Sequence, residues 1–193
     1  MSKIGVFGGS FNPIHVGHAL IASYIVDSGA VDQLLLMVAP QNPLKEGVVM
    51  AGDAHRLRMV EMVTRRLPRV ETTAFEFELP RPSYTVNTLN ALQAKFPHDD
   101  FYLVIGADNW CNFDQWKDGE TIIKNHHVLV YPRRGFEVVI PKEFESRVAM
   151  VDAPLVELSS TVVRQRLKAM KSVSFYVPDD VEKYILKNKL YIQ

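Results

Sequence analysis

The sequence has little of what would place a chain outside a reducing compartment or inside a membrane. It holds one cysteine, Cys111, so no intramolecular disulfide and no cysteine metal cluster can form, and a reducing compartment fits. No apolar run approaches the roughly 20 residues needed to cross a bilayer. No basic region followed by a long apolar core opens the chain, so a signal peptide is not expected. The expected location is cytoplasmic, with no membrane partner. Charge of neither sign is in excess: 22 Lys+Arg against 22 Asp+Glu give a net charge of +0. Nucleic-acid binders usually carry a basic surplus, so no nucleic-acid partner is expected, which leaves room for a local basic pocket. Linkers, internal repeats and low-complexity tracts are also missing. With 193 residues, 47% of them hydrophobic, residues 1–193 read as a single domain with a sizeable core. A homo-oligomer is neither required nor excluded.

What is present is concentrated first in Gly8-Gly9-Ser10-Phe11-Asn12-Pro13-Ile14-His15-Val16-Gly17-His18. An apolar run, Ile4-Gly5-Val6-Phe7, precedes it and reads as a buried strand. Ala19–Val26 follows and reads as a helix. Gly8 and Gly9 have no side chains, so a ligand can approach their backbone closely. His15 and His18, three apart, are expected on one helical face, and Gly17 clears space beside their rings. The helix start points free N–H groups and a positive dipole end at the same spot. These features describe an anion site with imidazole donors, most simply a polyphosphate site. Zinc is the rival reading for the two histidines, but no further ligands stand at metal spacing.

The rest of the chain alternates strands and helices. Strands are expected at Gln33–Ala39, Val70–Thr73, Phe101–Gly106, His127–Tyr131 and Val148–Val151, with a further extended piece at Phe75–Leu79. Helices are expected over Ala54–Arg66, capped by Asp53, and over Val86–Phe96, Asp118–Lys124, Ser159–Met170 and Asp179–Asn188. Near-continuous apolar strands suit a parallel sheet covered on both faces, and the alternation implies right-handed crossovers. The expected fold is α/β: a Rossmann-like, doubly wound parallel sheet with a small helical C-terminal segment over about 159–193. Ligands in such sheets lie beyond the carboxyl ends of the strands, so Gly8, Ala39, Gly106 and Pro132 should converge.

Other residues carry chemistry at those ends. In Ser159-Ser160-Thr161-Val162-Val163-Arg164, Ser159 or Ser160 can cap the helix. Arg164 has the wrong sign for the positive end of a dipole unless an anion sits there, and Ser160, Thr161 and Arg164 share a face. Asp108, just past a strand, suits ribose hydroxyls or a plain helix cap. Ser83-Tyr84-Thr85 opens a helix whose N–H groups can take a carboxylate. Trp116, in a polar stretch, can stack on an aromatic ring. Arg133 and Arg134 follow a strand and can hold a monophosphate, with no basis for choosing between them. His55, His98, His126 and His127 read as surface or satisfied histidines, and Met59 and Met62 as packing.

The motifs Gly-Gly-Ser-Phe-Asn-Pro-x-His-x-Gly-His, Gly106-x-Asp108 and Ser-Ser-Thr-x-x-Arg, with the tail Tyr176-Val177-Pro178, resemble the bacterial nicotinate-nucleotide adenylyltransferases of the HxGH nucleotidyltransferase superfamily. The resemblance covers essentially the whole chain. It implies an enzyme of NAD biosynthesis that joins ATP and nicotinate mononucleotide, with Mg²⁺ carried mainly by the ATP phosphates and no metal cage in the protein. It implies that Gly8, Gly9, Ser10, Phe11, His15, His18, Gly106, Asp108, Ser159, Ser160, Thr161 and Arg164 serve ATP, and that His15, His18 and Arg164 are catalytic. It implies acceptor binding by Asn42, Lys45, Thr85, Trp116, Arg133 and Arg134, with Arg133 the better match to the phosphate-side arginine. The alternatives are another member of the superfamily, such as a pantetheine-phosphate adenylyltransferase or a cytidylyltransferase, and a nucleotide sensor without catalysis.

Overall fold

The computed structural model describes residues 1–40 and 50–192. Six strands among them form one sheet: β1 (Lys3–Gly9), β2 (Gln33–Val38), β3 (Val70–Thr73), β4 (Asp100–Gly106), β5 (His127–Tyr131) and β6 (Val148–Met150). Their order is β3-β2-β1-β4-β5-β6 and every neighbouring pair is parallel. The helices are α1 (Val16–Asp27), α2 (Asp53–Thr64), α3 (Thr85–Lys95), α4 (Ala107–Trp110), α5 (Gly119–Asn125), α6 (Ser160–Lys168) and α7 (Asp179–Lys187). The order reverses between β1 and β4, which makes their carboxyl ends the switch point at which a doubly wound sheet opens a crevice.

The unbroken apolar runs follow from burial on both faces, with the period-2 alternation of a strand dividing them between two layers. In β2, Leu34, Leu36 and Val38 join the core layer beneath α1, α2, α6 and α7, where Ile25, Met59, Val163 and Ile185 sit. Leu35 and Met37 face the other layer, with Leu89 of α3, Trp110 of α4 and Ile122 of α5. The C-terminal helices therefore complete one face of the sheet. In α7, Val181 and Ile185 are buried, acidic Asp179, Asp180 and Glu182 fill its first turn, and Lys187 lies in the last, a distribution that complements the helix dipole. No helix among the described residues is long and apolar enough to cross a membrane.

Two local expectations are corrected. Phe75–Glu78 is a 3₁₀ turn and not an extended piece; its Phe-Glu-Phe-Glu alternation matches a strand, but the backbone curls at Ala74 to reach α3. Asp53 does not cap α2. Gly52 does, and Asp53 is the first helical residue, its carboxylate turned onto the guanidinium of Arg56. Pairing the carboxylate with a buried guanidinium joins two opposite charges, whereas a cap would set it against neutral N–H groups.

Leu36 is fully buried in β2. Leu36→Ala should lower the unfolding free energy by about 2–5 kcal/mol, the usual cost of a buried leucine with its cavity, read as a shift of the urea midpoint at unchanged slope.

Candidate active site

The turn from β1 into α1 is tied from behind at four successive places. The Gly9 carbonyl accepts from the Ala39 N–H at 2.9 Å. The Ser10 carbonyl accepts from Arg56 Nη1 at 2.6 Å. The Asn12 carbonyl accepts from Arg164 Nη1 at 2.8 Å, and the Pro13 carbonyl from Ser160 Oγ at 2.9 Å. The two glycines have separate reasons. A Cβ on Gly8 would meet nothing within 4 Å, so it faces open space, whereas one on Gly9 would strike the Phe11 ring at 3.0 Å. Phe11 sits at φ 42°, is buried, and lies edge-on to Phe7 and His18. Its ring props the turn from below, so only its backbone can face a ligand.

His15 is the N-cap of α1, at φ −140° and ψ 171°, and not a residue of its first turn. Its extended backbone returns the ring over His18, with ring centroids 3.7 Å apart and an interplanar angle of 25°. A Cβ on Gly17 would lie 2.9 Å from Val156 and 3.0 Å from His15 Nδ1, so this close stack needs glycine there. The His15 N–H donates to His18 Nδ1 at 3.2 Å. That bond fixes the neutral tautomer of His18, leaving Nε2–H as its free donor. Burial, assisted by the Arg133 cation, lowers His15 from 6.5 to about 3. His18 is also held well below its usual range, by burial first and then by His15 and Arg133. The pair is therefore neutral at physiological pH and donates hydrogen bonds as imidazole.

A cleft of about 550 Å³ opens at the carboxyl ends of the strands. It gathers Gly8, Gly9 and Ser10 from the turn, Gly106 from β4, Thr85 from the start of α3, and Trp116. Ala39 lies on the same wall, as does Tyr131, the neighbour of Pro132, so the expected convergence is present. Thr85 is the first residue of α3, where N–H groups have no preceding helical carbonyl to reach. Trp116 is half-buried and tilts against Phe113 at 5.1 Å. A Cβ on Gly106 would collide with Asp108 Oδ1 and lie 3.1 Å from Tyr131. Asp108 lies in α4, with Oδ1 3.7 Å from Arg133 Nε. Arg133 also donates to the Tyr131 hydroxyl at 3.3 Å. The two arginines are thus separated: Arg133 is held beside the histidines, while Arg134 is exposed and paired with Glu157. Asn42 and Lys45 lie outside the described residues.

Ser159 caps α6, accepting from the Val162 N–H at 3.4 Å. Arg164 is the fifth residue of α6, so it stands in the second turn and not the first. Its guanidinium grips Asn12 and also Thr161 Oγ1, at 3.2 Å, and so reaches back to the helix start. A larger cavity, about 720 Å³, lies outside Trp110 and Phe113 and contains none of the expected site residues.

Three residues escape the sequence reading. Arg56 is fully buried, though its spacing from Met59, Val60 and Val63 puts it on the apolar stripe of α2, which is the signal that could reveal it. Glu76 lines the cleft and accepts from Thr88 Oγ1 at 2.8 Å; burial raises its carboxyl above the usual range. Tyr191 is buried with its hydroxyl unpartnered. His126, expected at the surface or satisfied, is buried with Nε2 unpartnered. Among the described residues no group of three or more His, Cys, Asp or Glu is placed to hold a metal ion.

Known proteins share this plan. A family model described as cytidylyltransferase-like matches residues 6–166. A relative from Bacteroides thetaiotaomicron named probable nicotinate-nucleotide adenylyltransferase is 46% identical, over 95% of this chain and 90% of its own. The chain belongs to the nicotinate-nucleotide adenylyltransferase family. A second relative of that name, from Flavobacterium psychrophilum, is 40% identical over 98% of both chains. The solved structure of Plasmodium falciparum nicotinic acid mononucleotide adenylyltransferase complexed with NaAD matches with a TM-score of 0.82, covering 99% of this chain and 98% of that one. At 18% identity, that likeness shows the fold.

The neutral histidine pair makes stability depend on pH. The unfolded chain binds these protons near pH 6.5, while the folded chain resists them down to about pH 3 at His15. The unfolded state therefore binds more protons between these values, and stability falls as pH drops below about 6.5. Each group contributes at most about 1.4 kcal/mol per pH unit. Urea midpoints at pH 7.5 and pH 5 should differ less in His15→Asn/His18→Asn than in the unaltered protein.

Proposed function

We infer that the protein transfers the adenylyl group of ATP to nicotinate mononucleotide, giving nicotinate adenine dinucleotide and pyrophosphate, a step of NAD biosynthesis. The observation that carries this reading is the cleft across β1 and β4. It joins a glycine turn backed by the stacked, neutral His15–His18 pair to a wall formed by Thr85 and Trp116. The reading extends to residues 1–193 acting as one nucleotidyltransferase domain in the cytoplasm.

A phosphate oxygen of the mononucleotide attacks the α-phosphorus of ATP in line. The bond from that phosphorus to the β-bridging oxygen breaks, and pyrophosphate leaves with its electron pair. The attacking phosphate is already an anion, so neither a general base nor a protein nucleophile is needed. The protein's contribution is positioning and charge neutralisation. His18 Nε2–H is the donor nearest the α-phosphate, and His15 completes the pair. Gly8, Gly9, Ser10 and the backbone of Phe11 leave room for the phosphates, with Ser159, Ser160, Thr161 and Arg164 toward their β/γ end. Gly106 and Asp108 serve the ribose. Thr85 takes the nicotinate carboxylate on helix N–H groups, and Trp116 stacks on the ring. Arg133 faces the mononucleotide phosphate better than Arg134, which Glu157 already occupies. The family resemblance also gives Asn42 and Lys45 to acceptor binding.

The donors around the turn are imidazole N–H and guanidinium, which suit phosphate oxygens and repel a bare cation. Mg²⁺ therefore fits this site as an ion carried by the ATP phosphates. When bound it neutralises charge on the departing pyrophosphate.

Pyrophosphate release should be fast with ATP, Mg²⁺ and nicotinate mononucleotide, and much slower with nicotinamide mononucleotide or 4′-phosphopantetheine. Equal kcat/KM for the acid and the amide would remove the Thr85 assignment. ATP binding with no release from any acceptor would favour the sensor. His18→Ala should lower kcat by roughly 10²–10³, the scale of losing one preorganised donor, and near-normal turnover would overturn the role given to His18.

A further inference from the structure

Arg56 is the only charged residue among the described ones whose side chain is fully buried, and apart from Asp53 its partners lie outside the helix that carries it. Nη1 donates to the Ser10 carbonyl at 2.6 Å and to the Ala39 carbonyl at 2.7 Å. Nε donates to the Ala51 carbonyl at 3.1 Å, and Nη2 pairs with Asp53. One guanidinium thus joins the phosphate-side turn after β1, the end of β2 and the chain just before α2. The Ala51 peptide is gripped on both sides, because its N–H donates to Asn12 Oδ1 at 3.0 Å. Ala39 is gripped likewise, its N–H on the Gly9 carbonyl. Ser10 and Ala39 line the cleft. A buried arginine is costly unless its donors are used, and here they meet backbone carbonyls at the edge of the site and not a core ion pair alone.

We propose that Arg56 is a positioning residue for adenylyl transfer: it sets the Ser10 peptide, and with it the phosphate turn, against the end of β2 and the chain just before α2. The proposal rests on the transfer reading above. It acts through backbone and touches no substrate. Lysine cannot replace it, because an ammonium concentrates its donors at one point, whereas the guanidinium fork spreads them to three separate segments.

The test compares Arg56→Lys with the unaltered full chain at 20 °C, with the folded fraction set by circular dichroism. Expected is a fall in kcat/KM of at least tenfold, including a raised KM for ATP, since misplacement of about 1 Å is enough for losses of this order. Loss of folded molecules alone cannot raise KM, so kcat and KM unchanged per folded molecule would overturn the proposal, whatever the melting temperature. If Arg56→Lys does not fold, Asp53→Asn is used. It loosens Nη2 from a partly exposed partner, and a raised KM for ATP is again expected, while unchanged constants again overturn it. Absence of turnover in the unaltered protein would instead defeat the transfer reading. Arg56→Lys is then read by ATP titration, where a Kd weakened at least tenfold supports the positioning role and an unchanged Kd overturns it.

Discussion

A turn that offers its N–H edge to an anion must point its carbonyls inward, and inward carbonyls need donors. That constraint organises this molecule. The carbonyls of Gly9, Ser10, Asn12 and Pro13 are met by Ala39, Arg56, Arg164 and Ser160. These donors come from the end of β2, from α2 and from α6, so three parts of the chain are recruited to support one five-residue stretch. The positions of α2 and α6 against the sheet serve the site as much as the core.

Arg164 illustrates how one residue meets two demands. Its spacing from Ser160 and Thr161 suits phosphate binding, yet its guanidinium also bonds the Asn12 carbonyl and Thr161 Oγ1. A guanidinium has five donors, so bracing the turn leaves others for a ligand. The histidines divide labour in a similar way. His18 accepts from the backbone with one nitrogen, and this frees the other as a donor with a fixed tautomer. The same burial that holds both rings neutral makes each a directional hydrogen-bond donor and not a diffuse cation.

Much of the fold was legible because the two-layer packing leaves a strong trace: uninterrupted apolar strands between amphipathic helices. The turn motif and Ser159–Arg164 were legible because glycine, histidine and arginine in those spacings have few other uses. What was not legible depends on long-range contacts. Phe75–Glu78 alternates like a strand but curls into 3₁₀ geometry. Asp53 has the composition of a cap but is drawn to Arg56, whose place on the apolar stripe of α2 hints at burial while its partners Ser10, Ala39 and Ala51 emerge only in the fold. His15 and His18 read as neighbours on a helix face, whereas one caps the helix and folds back over the other. Local chemistry does not tell Arg133 from Arg134, although the family resemblance favours Arg133; in the fold Glu157, far along the chain, pairs with Arg134 and separates them.

The bonds from α6 to the turn join residues 147 and 152 positions apart. On a ribosome adding about 5–20 residues per second, the turn would wait on the order of ten seconds for those partners. Its Asn12 and Pro13 carbonyls must remain hydrated through that interval. The turn at the mouth of the cleft is therefore completed only once α6 has been made, although its signature lies far ahead of α6 in the chain. A nascent chain cut short before α6 would have all six strands of the sheet but not the brace that shapes the mouth of the cleft.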